Sequence, residues 1–173
     1  MNSALHQLPA FELWPISVDW DLAFSRPQTI KARAYWQSLC RGRRMPSRRD
    51  LEPRAMKEFI GYVNLVDVLR LGSDDCDYII TLQTNHARDV WGNIQNRPLS
   101  EMFPPEVEQR WHYSFDLPRK SVLPVRLATR ASTVGKNWLA CEILLAPLGQ
   151  GNEVEAIFWV AVAWPSMPAA PPS

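Results

Sequence analysis

Three histidines (His6, His86, His112) and three cysteines (Cys40, Cys76, Cys141) are the side chains most suited to metal, redox or nucleophilic chemistry. Their spacing does not group them. No HxH, HExxH or CxxC occurs, so no zinc site is expected. The cysteines lie far apart and read as reduced thiols of a cytoplasmic protein rather than a disulfide framework. No GxSxG elbow is present, and the seven glycines are too scattered to form a phosphate-cradling loop. His86 is a lone axial candidate with no ligand set around it, so haem is not supported. The sequence therefore points away from an enzyme.

Two charged constellations remain. Glu142 alternates with Trp138, Ala140 and Leu144 in one segment, and Arg126 and Arg130 alternate in the segment before it. On paired strands Glu142 and Arg126 can form a cross-strand ion pair. Two readings stay open: the pair orients the sheet, or it polarises a ligand. The second constellation is the run Arg41–Arg49. Residues 26–57 carry ten basic and two acidic side chains, against nine and sixteen elsewhere. Arg43, Arg44, Arg48 and Arg49 are the anion-binding candidates. Aromatic residues do not interleave them, so a nucleic-acid platform is disfavoured against a solvated or internally paired basic face.

The elements that position these groups follow from periodicity. The 173 residues, 46% apolar and 21% charged, suit one domain with a packed core. No apolar run reaches the roughly 18–20 residues of a membrane span. The opening MNSALHQLPAFELW lacks a basic flank and is not read as a secretory signal. Residues 1–25 read as an irregular arm anchored by Trp14, Trp20 and Phe24. Ser25 offers an N-cap and Pro27 a first turn to a helix carrying Ala32, Tyr35, Trp36, Leu39 and Cys40 on one face, stopped by Gly42. A second helix is predicted over 50–59. Strands follow at 62–69 and 77–83, a short helix at 85–91, and a helix from Pro104 that Pro118 should end. Further strands are predicted at 122–131, 138–148 and 154–164.

The last strand is apolar on both faces after Glu155, which places it inside its sheet. The result is an α+β plan: a five-stranded antiparallel sheet of spatial order 2-1-5-4-3, with short helices between its second and third strands. The expected organisation is the arm at 1–25, a helical extension at 26–59, a core at 60–165 and a disordered tail at 166–173.

That plan resembles the PAS fold, and particular residues extend the likeness. Tyr35-Trp36 through Gly42-Arg43-Arg44-Met45-Pro46 and on to Asp50-Leu51-Glu52-Pro53 resembles the opening of a family of bacterial stand-alone PAS-fold proteins. Leu65-Val66-Asp67-Val68 and Glu142-Ile143-Leu144-Leu145-Ala146-Pro147-Leu148 match two of its strands. The resemblance covers about residues 26–165. It implies a sensory or protein-interaction module, with a ligand cavity between sheet and helices. The wall candidates are Asn64, Tyr78, Thr81, Trp91, Trp111, Arg126 and Glu142. It also implies a partner or homodimer contact through the first helix, at Tyr35, Trp36 and Leu39. No cysteine occupies the motif of flavin-linked PAS sensors. The chain departs from the family in two places. Tyr78–Thr84 lacks the family's inward arginine and following glycine, and Asn96 stands where a glycine is usual. An asparagine can keep the left-handed turn required there. Nucleic-acid binding through 41–49 and a small cone-like α+β hydrolase or isomerase are the alternatives.

Overall fold

A computed structural model of the chain describes residues 16–167. Trp14 of the expected arm and the tail beyond Met167 lie outside the described residues. The sheet is formed by β1 (Ser17–Asp19), β2 (Val63–Arg70), β3 (Cys76–Leu82), β4 (Val125–Ala131), β5 (Lys136–Gln150) and β6 (Glu153–Pro165). All neighbours are antiparallel, in the order β1-β4-β5-β6-β2-β3. Without β1 this is the order the apolar last strand predicts.

β1 is the correction. The arm is not wholly irregular: it supplies a sixth strand, pairing Ser17 with Ala128 and Asp19 with Arg126. An unpaired β4 would leave a row of backbone donors and acceptors at the sheet edge, and these three residues satisfy part of it. Three residues are too few for alternation to be visible. Of the arm's other anchors, Phe24 packs against the core and Trp20 stands exposed.

Among the described residues four α-helices flank the sheet: α1 (Pro27–Cys40), α2 (Asn85–Trp91), α3 (Leu99–Met102) and α4 (Pro105–Ser121). α1 packs across β5 and β6 on one face, called the back; the other three cover the front. β6 is therefore buried from both sides, and Ala156 to Val162 is an unbroken buried run. The predicted helix over 50–59 is replaced by 3-10 turns at Arg48–Asp50, Pro53–Met56 and Ile60–Tyr62. Ser47 and Asp50 close a capping box on the first turn, and Pro53 opens the second; 3-10 turns share these start signals with α-helices. α4 continues a turn past Pro118. A proline near a helix end removes only one backbone bond, and Val122, at φ 56, closes the helix by donating to the Pro118 carbonyl. Asn96, at φ 65, takes the left-handed conformation expected of it.

Gly149 sits where β5 and β6 shift register beside the hairpin turn. A Cβ there would lie 2.0 Å from the Glu153 carbonyl oxygen and 2.9 Å from Met45 Cε. The carbonyl belongs to the backbone and cannot rotate aside. Gly149→Ala is expected to lower unfolding free energy by about 1–3 kcal/mol, measured by urea denaturation. A change below 0.5 kcal/mol would show that the hairpin yields.

Candidate functional site

On the front face, α2 and α4 lean on the inward side chains of β4, β5 and β6. Trp91, Trp111, Phe115 and Trp159 form an aromatic cluster, with Trp159 centroids 5.4 Å from Trp91 and 5.6 Å from Trp111. The cluster does not fill the space. A cavity of about 40 Å³ remains between these rings and Leu127, Ile143 and Leu145.

Into this apolar cavity α4 brings one charge. Arg110 is only 5% exposed. Its Nη2 donates to Thr129 Oγ1 and, at 3.4 Å, to the Arg130 carbonyl. Its Nη1 has no hydrogen-bond partner among the described residues, and neither does the indole Nε1 of Trp111 beside it. Burial pushes the Arg110 guanidinium down to about 10, so it is still cationic at neutral pH. Among the described residues no carboxylate lies within ion-pair distance of it. Burial also pushes the neighbouring Cys141 thiol up to about 12, so that group is neutral. Sequence reasoning missed Arg110. The signal was its position three residues after Val107 and one before Trp111, within α4's buried stripe of Val107, Trp111, Phe115 and Pro118.

The structure brings together only part of the expected wall. Trp91 and Trp111 line the cavity. Tyr78 lies on the same face beneath α4, but its hydroxyl is engaged: it donates to Asp116 Oδ1 at 2.5 Å and accepts from Arg119 Nε at 2.8 Å. Burial and the Asp116 carboxylate raise that phenol above its ordinary range. Asn64 is a bracket, not a wall. Its amide accepts from the Thr84 backbone N–H and donates to the Trp159 carbonyl, tying the start of α2 to the sheet. Thr81 points to the back, where it meets Asp67 and Arg48.

Arg126 and Glu142 are also on the back face, which corrects their assignment to the cavity. Strand alternation decides it: Ile143 and Leu145 face the cavity, so Glu142 and Leu144 face α1. In register Glu142 opposes Ala128, and Arg126 reaches it diagonally. The Arg126 Nε and Nη2 bonds to Glu142 Oε2 measure 3.1 and 3.0 Å. The same carboxylate accepts from Ser25 N, Ser25 Oγ, Arg26 N and Thr29 Oγ1. It thus caps the N-terminus of α1. Arg26, the N-cap residue, has no side-chain cap of its own, and Ser25 spends its hydroxyl on Glu142 instead of on the helix. Burial opposes ionisation of Glu142, but the bonds from Thr29, Arg26 and Ser25 outweigh it and hold the carboxyl at about 2.

The helix stripe proposed as a partner contact faces inward. Trp36 is 5% exposed, and its Nε1 donates to the Pro147 carbonyl at 3.0 Å. Tyr35 packs on Phe59 and accepts from the Glu52 backbone N–H, and Leu39 is half-buried. Periodicity shows that a stripe is buried and not what buries it; here the chain's own sheet does. The basic run is largely paired within the chain. Arg43 bridges to Asp50 at 2.9 Å and Arg48 to Asp67 at 2.5 Å, while Arg44 donates to Asn152. Arg49 is exposed.

His86 is committed to the sheet: its Nε2 accepts from the Ala163 backbone N–H at 3.1 Å, and burial lowers its pKa. A second polar cluster joins Ser100, Asp77 and His112. Ser100 Oγ donates to Asp77 Oδ2 at 2.6 Å, and His112 Nε2 lies 3.1 Å from Asp77 Oδ1. Nucleophilic relay needs the imidazole between hydroxyl and carboxylate. Here the carboxylate stands in the middle, and the cluster ties α3 and α4 to β3.

An open antiparallel sheet, three connecting helices on its front face and a small cavity beneath them together describe a sensor-module architecture. The PAS domain family model matches residues 24–159, and the chain belongs to that family. No curated protein and no solved structure matches it. PAS domains in general are sensory or regulatory modules without enzymatic activity, and commonly mediate protein interactions. Among the described residues no helix is long and apolar enough to cross a membrane.

Proposed function

We propose that this PAS domain is a ligand-sensing regulatory module whose front-face cavity takes a small molecule and whose occupancy is passed to a protein partner or a second copy of the chain. The observation that carries this reading is the cavity, where two buried polar groups without partners sit among mainly apolar walls. The three free cysteines, two of them buried, fit action in the reducing cytoplasm. The paired state of Arg43 and Arg48 makes nucleic-acid binding the weaker reading, and the Ser100–Asp77–His112 order does the same for hydrolysis.

Native mass spectrometry of freshly purified full-length protein tests the reading. The expected spectrum carries a small-molecule adduct on the 19.8 kDa chain that is lost on denaturation, and it also gives the oligomeric state. A bare chain, together with no thermal stabilisation by any small organic molecule, would sink the proposal.

A further inference from the structure

Arg110 is buried, and among the described residues no carboxylate balances its charge. A guanidinium buried without a carboxylate is costly, because desolvation is not offset by an ion pair. Among the described residues nothing completes Arg110 Nη1, and a buried polar group left so calls for a partner. A water molecule could accept from Arg110 Nη1 and from Trp111 Nε1, but it would leave the charge uncompensated. An anion satisfies both donors and the charge.

The remaining walls narrow the anion. Phe115, Leu127, Ile143, Leu145 and Trp159 offer hydrocarbon and ring faces. Arg130 also lines the cavity, but its guanidinium is spent on the Asn137, Ser166 and Met167 carbonyls. A carboxylate matches the donors that remain: two oxygens toward Arg110 and Trp111, an apolar tail toward the hydrocarbon walls. Size limits the tail. The cavity, about 40 Å³, is far smaller than the roughly 150 Å³ apolar cavity that admits benzene. We propose that the cavity is a receptor site for short-chain monocarboxylates, with Arg110 Nη1 and Trp111 Nε1 as the paired donors. This rests on the ligand-sensing reading above and names the ligand class.

The test uses the full chain, with sodium propionate and propionamide as matched probes at constant ionic strength. Thermal shift and calorimetric titration read binding. Propionate is expected to raise the melting temperature saturably, and propionamide is not. Arg110→Met should lose the propionate shift while melting no lower than the wild type without ligand, because it removes an uncompensated buried cation. Trp111→Phe keeps one aromatic ring of the two and loses one donor to the carboxylate, so its Kd for propionate should rise by roughly tenfold or more. The assignment is overturned if propionamide binds as well as propionate, if Arg110→Met keeps the propionate shift, or if Trp111→Phe leaves Kd unchanged. In those cases some small molecule still binds and the ligand-sensing reading survives. If neither probe shifts the protein and its native mass carries no adduct, both readings fall together.

Discussion

Replacing Glu142 with glutamine is expected to remove about 3–5 kcal/mol of folding stability, the usual effect of breaking a buried, fully engaged ion pair. The carboxylate receives every donor around it: two from Arg126, two from Ser25, and one each from Arg26 and Thr29. A glutamine keeps the shape but turns one oxygen into a donor among donors. It also leaves Arg126 with Asp19, 3.7 Å away, as its remaining acidic neighbour among the described residues. The pH dependence has a definite sign. The folded value of about 2 lies below the ordinary 4.5. The stabilisation is therefore complete above pH 4.5 and disappears as pH falls through about 2. The shift corresponds to about 3 kcal/mol. Urea unfolding of wild type and Glu142→Gln at pH 7, 4.5 and 2.5 checks this. The difference between the two proteins should be nearly full at pH 4.5 and mostly lost at pH 2.5. A constant difference across the series, or one below 1 kcal/mol at pH 7, would show that the carboxylate does not hold α1 to the sheet. The propionate response proposed for Arg110, on the opposite face, should be the same in the glutamine variant at neutral pH.

How much of this could be read from residue order depends on the length scale of each signal. The central place of β6 was legible because its long apolar run leaves no solvent face. α2 was legible because Gly92 closes a short helical segment. β1 was hidden, since three residues show no period and the pairing partner lies more than a hundred positions away. The 3-10 turns were hidden because acidic and proline start signals are common to both helix types. The candidate site was legible in its aromatic half and illegible in its polar half. Alternation places Glu142 on one face of β5 without saying which face the helices cover, so the most conspicuous charged pair was assigned to the wrong side. Arg110 was overlooked for the converse reason. A charge beside Trp111 reads as solvated surface until the packing of α4 shows it enclosed. The family's inward strand arginine is missing from Tyr78–Thr84, and the cation facing the cavity comes from the helix above instead.

Trp36 carries the other large expectation, and it separates a packing stripe from an association surface. Its indole is buried against β5 and β6, with Ala32 one turn earlier, and its N–H is spent on the Pro147 carbonyl. Truncating a buried tryptophan costs about 3–5 kcal/mol through lost burial and the cavity left behind. That is a large share of the roughly 5–15 kcal/mol that keeps a domain folded. Trp36→Ala should therefore shift the urea midpoint well below that of the wild type. Trp36→Phe retains most of the ring and loses one hydrogen bond, so its cost should be smaller, nearer 1–2 kcal/mol. Light scattering under folding conditions supplies the second readout. Because the side chain faces its own sheet, neither variant should change the mass of the folded species. A stability loss under 1 kcal/mol for Trp36→Ala, coupled to a fall in assembled mass, would reverse the assignment and return α1 to the role of a contact between copies. The sheet would then lack the cover that β6, apolar on both faces, requires.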